Sequence, residues 1–302
     1  MIRRRLATLV PTLLGVVTLT FLFLHMVPGD PVDVMLGETA RPADREALRA
    51  ELGLDRPLWV QYGRYLGGIA RGDLGRSFVY RKPVTELIAA RVPATAQLAL
   101  GALVVALVIS VPLGTLAALR KDSALDRGSL VASLLGVSMP NFWLGPLLIL
   151  AFSVHLRWFP VSGREGWLSA VLPAVTLGTA MAAILARMLR ASLVEVLGAE
   201  FLRAAQARGV GRARLVWVHA MRNACLPVIT LLGLQLGSLL SGAVITEAVF
   251  AWPGVGTLLL QAIQGRDYPL VQGCVLVISL GYVGANLGAD LLYRWADPRV
   301  RG

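Results

Sequence analysis

Six stretches of the chain are apolar and almost free of charge, at about 6–27, 97–119, 130–154, 167–188, 224–246 and 270–292. Each is long enough to cross about 30 Å of hydrocarbon as a helix. The first follows the basic tip Arg3-Arg4-Arg5. It is longer than a signal-peptide core and lacks a small-x-small cleavage site, so it reads as a retained transmembrane helix. The third is interrupted at Ser138-Met139-Pro140-Asn141, where the proline frees a backbone carbonyl and kinks the helix.

Two intervals between the spans are different in kind. Residues 28–96 mix acids and bases freely. They include a short surface helix over 44–52 that Gly53 ends, then Trp59, Tyr62 and Tyr65, which suit a membrane–water interface. This interval is expected to be an extracytoplasmic loop with small helices. The other interval, 187–222, carries seven arginines against Glu195 and Glu200, with glycines at 198, 209 and 211. It reads as short helices punctuated by glycine turns at the basic face of a membrane.

Composition agrees with a polytopic membrane protein. The 302 residues are 56% hydrophobic and 16% charged, with mean hydropathy +0.67, whereas a soluble domain carries about 25% charge. The net charge of +11 comes from arginine clusters beside the spans, which sets membrane orientation and gives no reason to expect nucleic acid. Omitting the long loop 28–96, where charge has little influence, Lys and Arg divide sixteen to three between the two sides. Both termini and the 187–222 stretch are therefore expected in the cytoplasm. The two cysteines, Cys225 and Cys274, lie in or beside spans, and the three histidines are scattered without ligand spacing. No cofactor or metal site is expected in this chain.

Within 187–222, Glu200, Arg203, Ala204, Ala205, Arg208 and Gly209 form the candidate docking helix and its end. The small side chains at 204, 205 and 207 let a helix approach a partner groove closely, and Gly209 permits the left-handed turn that ends it. A solvated loop that only fixes topology needs arginines but not this alanine and glycine spacing.

Arg203-Ala204-Ala205, three residues, Gly209, and later Leu226-Pro227 resemble the cytoplasmic signature of permeases in binding-protein-dependent ABC importers. Arg203 stands where that signature has glutamate, a departure usual in the dipeptide, oligopeptide and nickel branch. Pro28-Gly29-Asp30-Pro31-Val32, Gly136 to Trp143, Phe250 to Gly256, Arg266-Asp267-Tyr268-Pro269 and the tail Asp297-Pro298-Arg299 resemble the same branch. The resemblance implies an all-α integral membrane protein with six transmembrane helices of the type I ABC importer permease fold, and one permease domain over 1–302. It also implies a coupling helix seated in a cytoplasmic ATPase. The partners implied are a second homologous permease, two ATPase subunits that bind ATP and magnesium, and an extracytoplasmic solute-binding protein, all around an inner-membrane chain. The solute implied is a di- or oligopeptide, with nickel, a nickel chelate or glutathione as alternatives.

Smaller features have two readings each. Pro140 and Asn141 either line a solute path or mark a kink satisfied by a neighbouring helix. Gln235, Ser238 and Ser241 share one helical face, which either lines the path or forms a helix–helix contact beside Gly233, Gly237 and Gly242. Glu247, Trp252 and Asp267 are candidate receptor contacts in the outer connection 247–269, or parts of a purely structural turn. An intramembrane enzyme is disfavoured, because the sequence has no Gly-x-Ser-x-Gly, no His-Glu-x-x-His and no paired acids in the spans. It has no Gly-x4-Gly-Lys-Ser/Thr loop either, so ATP hydrolysis is expected in a separate subunit. A self-sufficient secondary transporter would leave the docking stretch without a use.

Overall fold

The computed structural model describes residues 2–37 and 40–296. Among these, regular structure is helical, apart from one antiparallel bridge between Arg76 and Pro83. The N-terminal part holds α1 (Ile2–Met26), α2 (Pro31–Leu36), α3 (Pro42–Leu52), α4 (Leu58–Ala70) and α5 (Val84–Leu119). Next come α6 (Ala124–Ser138), α7 (Asn141–Leu148) with a π-helical continuation Ile149–His155, and α8 (Val171–Leu197). Then follow α9 (Glu200–Ala207), α10 (Arg212–Arg214) with the π segment Leu215–Ala220, α11 (Met221–Val249), α12 (Val255–Gln264) and α13 (Tyr268–Ala296).

By their contacts the residues group into two compact units, Met1–Thr95 with Pro253–Gly281, and Ala96–Trp252 with Tyr282–Gly302. The first unit is built on one apolar cluster. Val84 and Ile88 of α5, Val255, Leu258 and Ala262 of α12, and Leu270, Val271 and Cys274 of α13 are all nearly solvent-free. Their three- and four-residue spacings put each set on one helical face. A polar knot fixes the loop beside this cluster. The buried carboxylate of Asp267 accepts from the Ser77 hydroxyl, from the amides of Phe78 (3.1 Å) and Val79 (3.2 Å), and from Leu270 N–H (3.3 Å), which caps α13.

The second unit is organised on α8, the most buried of the candidate spans. Its neighbours approach through small residues. A Cβ added at Gly178 would lie 2.7 Å from the Ala102 carbonyl oxygen, and one at Gly114 would lie 2.8 Å from that of Ala186. On α6 the polar and small residues Asp126, Ser129 and Ser133 are buried, with Gly136 against Ala183, while Val131, Leu134 and Leu135 are exposed. A soluble helix buries the opposite set; membrane helices pack through small residues and turn large apolar ones outward.

Among the described residues, five helices are long and apolar enough to cross a bilayer, or six if the bent pair Ala124–Ser138 and Asn141–His155 is one span. That pair bends by 102°, so the third expected span is broken rather than gently kinked. Met139 and Pro140 leave the helical region, at ψ 113° and 141°, because a proline drives its predecessor out of α conformation and offers no N–H to continue the ladder. Other boundaries differ from the apolar windows. The second span begins at Val84 rather than 97, and the fourth runs past 188 to Leu197. Absence of charge marks hydrocarbon, whereas a helix ends only where its backbone hydrogen bonds end. The connection 247–269 contains a further helix, α12.

Candidate functional site

The docking stretch folds as expected from its residues and adds detail to them. Gly198 and Ala199 make a two-residue break after α8, with Gly198 N–H on Glu195 O (3.1 Å) and Ala199 N–H on Val196 O (3.0 Å). Helix α9 then starts with Glu200 in its first turn, where the helix dipole favours an acid. Leu202 and Ala205, three apart, are its buried face. Glu200, Arg203, Ala204, Ala207, Arg208 and Gly209 are exposed. Of the six predicted residues, five therefore share the open surface, and Ala205 anchors the helix from below.

The end of α9 is a Schellman motif. Gly209 N–H reaches Gln206 O (2.9 Å), Val210 N–H reaches Ala205 O (3.3 Å), and Gly209 sits at φ +82°. A Cβ added there would meet nothing within 4 Å. Glycine is thus required by backbone conformation and not by space. Two residues later α10 begins, and its π continuation runs directly into α11. A two-residue link joins α9 to α8, residues 208–220 join it to α11, and α9 packs against the Leu215–Ala220 segment.

Three features of this region were not singled out from the sequence. Phe201 and Trp217 are about half exposed, at 47% and 54%, among arginines; an aromatic on an otherwise polar helix face was the available signal. The third is an ion pair. Arg190, two turns before α8 ends, donates Nε to Asp126 Oδ1 (2.5 Å) and Nη2 to Asp126 Oδ2 (2.6 Å). Asp126 also accepts from Asp122 N–H (2.9 Å). A two-pronged Arg–carboxylate contact fixes geometry as well as charge, so the loop before α6 is clamped to the helix that leads into α9. Asp126 and Arg190 are 64 residues apart, and nothing local in the sequence joins them.

The candidate path residues are less gathered. Pro140 is exposed at the α6–α7 break and Asn141 begins α7. Gln235 is half-buried on α11; the side chains of Ser238 and Ser241 lie outside the described residues, as do Gly242's surroundings. Gly233 and Gly237 support the packing reading for α11, since a Cβ at Gly237 would come 2.6 Å from the Tyr282 ring and one at Gly233 would collide with Ala289. Asp290's side chain and the tail Asp297-Pro298-Arg299 also lie outside the described residues.

Glu247, Trp252 and Asp267 expose no surface. Direct contact with a receptor through these side chains is corrected by that burial. In the second unit Trp252 N–H bonds Glu247 O (2.8 Å), and the Arg164 guanidinium lies 5.8 Å from the Trp252 ring centroid. Asp267 holds the knot in the first unit. All three are parts that shape loops. A polar or aromatic residue in a connection reads as a surface residue, whereas the Asp267 carboxylate satisfies neighbouring backbone and the Trp252 ring lies beneath a cation.

Comparison with known proteins agrees with this arrangement. Residues 110–302 match the family described as binding-protein-dependent transport system inner membrane component, and residues 1–99 match its N-terminal companion family. The chain is 43% identical to the dipeptide transport system permease protein DppB of Escherichia coli (strain K12), over 99% of this chain and 98% of that one. It is 44% identical to the di/tripeptide transport system permease protein DppB of Pseudomonas aeruginosa (strain UCBPP-PA14), with the same coverage. Identity is 43% with the glutathione transport system permease protein GsiC of Escherichia coli (strain K12), over 99% of this chain and 97% of that one. Among solved structures, a chain of the inward-facing MetNI methionine ABC transporter aligns with a TM-score of 0.59 and 18% identity, over 70% of this chain and 97% of that one, which shows a shared fold. On these matches, with several spans and a short helix wired between α8 and α11, the chain belongs to the binding-protein-dependent transport system inner membrane component family, as the permease subunit of an ABC importer.

Proposed function

We propose that this permease imports di- or tripeptides, and that α9 is the coupling helix through which cytoplasmic ATPases drive it. The observation that carries the coupling role is the combination at α9: an exposed surface of small and basic residues, a conformationally required Gly209, and a two-residue link to the long helix α8. The peptide assignment is supported by full-length relatives whose names specify dipeptides and di/tripeptides. Glutathione, itself a tripeptide, is the second reading, supported by equal identity to a glutathione permease.

On this reading both termini and α9 face the cytoplasm, following the arginine asymmetry. A second, related permease completes the path, two ATPases bind ATP and magnesium below, and a solute-binding protein delivers peptide from outside. Pro140, Asn141 and Gln235 remain proposed path residues, with the α6–α7 break as the opening that exposes backbone to a polar route. The test is reconstitution with the co-purifying partners, followed by uptake of labelled dialanine with and without ATP. ATP-dependent uptake supports the assignment. A complex that hydrolyses ATP and accumulates no peptide, dialanine or glutathione, overturns it.

A further inference from the structure

A cavity of about 290 Å³ lies in the first unit among α1, α4, the 73–78 turn and the start of α13. Its polar lining is not satisfied by the protein. Gln272 is only 7% exposed, yet its side-chain amide makes no hydrogen bond among the described residues. Tyr65 also lines the wall; its hydroxyl is enclosed, closed off from the cavity, and has no partner among the described residues. Buried polar groups without partners are uncommon, and each costs stability unless something occupies the space beside it.

The remaining walls limit what that occupant is. Phe21 stacks on Tyr65 with ring centroids 6.2 Å apart, and Tyr268 closes a further side against His25 at 5.4 Å. These give an aromatic lining. At the mouth stand two exposed charges of opposite sign, Arg64 and Asp73. They are not paired with each other: Asp73 Oδ1 takes Gly75 N–H at 2.9 Å, and the Arg64 guanidinium has no ion pair among the described residues. The site thus offers a guanidinium fork, a carboxylate, a carboxamide with both donor and acceptor, and aromatic surface.

We infer that this cavity is a binding site for a short zwitterionic peptide, with Arg64 taking its carboxylate, Asp73 its ammonium group and Gln272 its peptide bond. A carboxamide complements a peptide bond donor to acceptor, and guanidinium matches carboxylate in two-pronged geometry. The volume is at the low end for small-molecule sites, roughly 300–1,000 Å³, which suits two or three residues. The inference rests on the peptide reading above, and on its orientation the cavity opens outside. None of its lining residues is among the proposed path residues.

The test uses the full chain with its partner subunits in phosphatidylglycerol nanodiscs, without solute-binding protein. Leu54→Cys places a thiol at the cavity edge, with the natural chain as labelling baseline. L-alanyl-L-phenylalanine is expected to protect this thiol from maleimide saturably, and its N-acetylated, C-amidated form is not. The protection midpoint should rise about tenfold or more in Arg64→Met, and likewise in Gln272→Leu, a loss of roughly one hydrogen-bonded contact. Gln272→Glu, nearly identical in shape, controls for folding and should also weaken protection by replacing a donor with a charge. No protection, or equal protection by the blocked peptide, overturns the inference. Protection whose midpoint is unchanged in all three variants shows that Arg64 and Gln272 do not hold the peptide and also overturns the inference, and protection by phosphoethanolamine without protection by peptide shows a lipid-headgroup site. Peptide uptake is measured in parallel in sealed proteoliposomes with the solute-binding protein added: uptake without protection removes this site and leaves the importer reading intact, whereas loss of both removes the reading itself.

Discussion

Asp126 and Arg190 meet through two short contacts, Nε to Oδ1 at 2.5 Å and Nη2 to Oδ2 at 2.6 Å, and Asp126 is 2% exposed. The pair ties the first turn of α6 to α8 two turns before the break that leads to α9. Removing either partner leaves a buried charge uncompensated, whereas removing both leaves two apolar groups. Asp126→Leu and Arg190→Met should each lower the melting temperature of the detergent-solubilised chain by several degrees. The double variant should be less destabilised than the two single shifts added together. Strict additivity, read by scanning fluorimetry, would mean that the contact carries no coupling.

Gly209 separates conformation from space. Because its φ is +82° and a Cβ there meets nothing within 4 Å, the rank of substitutions follows left-handed propensity alone. Asn should be tolerated best, Ala should cost about 1 kcal/mol, and Val more. Coupling, measured as peptide uptake per ATP hydrolysed, is expected to fall in the order Asn, Ala, Val, with membrane insertion unchanged. If Val couples as well as Gly, α9 does not need its Schellman end.

Much of this was readable in advance, and the reasons are physical. Helix 200–207 and its end at 209 were legible because alanine spacing, Leu202 with Ala205, and one glycine are all local signals. The six apolar windows were legible for the same reason. Two things were not. Helix ends at Val84 and Leu197 lie beyond the uncharged windows, since Arg187 and Arg190 continue α8, the second of them on the strength of a partner 64 residues away. The burial of Glu247, Trp252 and Asp267 was equally hidden, because it depends on residues such as Ser77 and Arg164 that only the fold brings near.

Asp267 gathers four donors that no other group in the loop replaces. Asp267→Ala should destabilise the first unit by roughly 3 kcal/mol, as several buried donors lose their acceptor together, and Ser77→Ala by about 1 kcal/mol. Hydrogen exchange at the amides of Phe78 and Val79 is the direct readout. Accelerated exchange there, with little change in α8, is the expected pattern.

Close packing on α8 gives a steric prediction. A Cβ at Gly178 would lie 2.7 Å from the Ala102 carbonyl oxygen and 2.8 Å from Val105 Cβ. Gly178→Ala must push α5 and α8 apart and should cost about 1–3 kcal/mol. Thermal stability checks this, with Gly128→Ala, where a Cβ meets nothing within 4 Å, as the comparison that should lose almost nothing.

On the proposed reading, ATPase motion reaches the spans through α9. The most direct measurement is site-specific crosslinking from Ala204→Cys, an exposed position on α9, in membranes containing the whole transporter. A thiol-reactive crosslinker of fixed length should join this cysteine to the co-purifying ATPase, with a yield that changes between nucleotide-free and ATP-bound conditions. A thiol at Ala204 that crosslinks to no ATPase in either condition, while the transporter still imports peptide, would contradict the account.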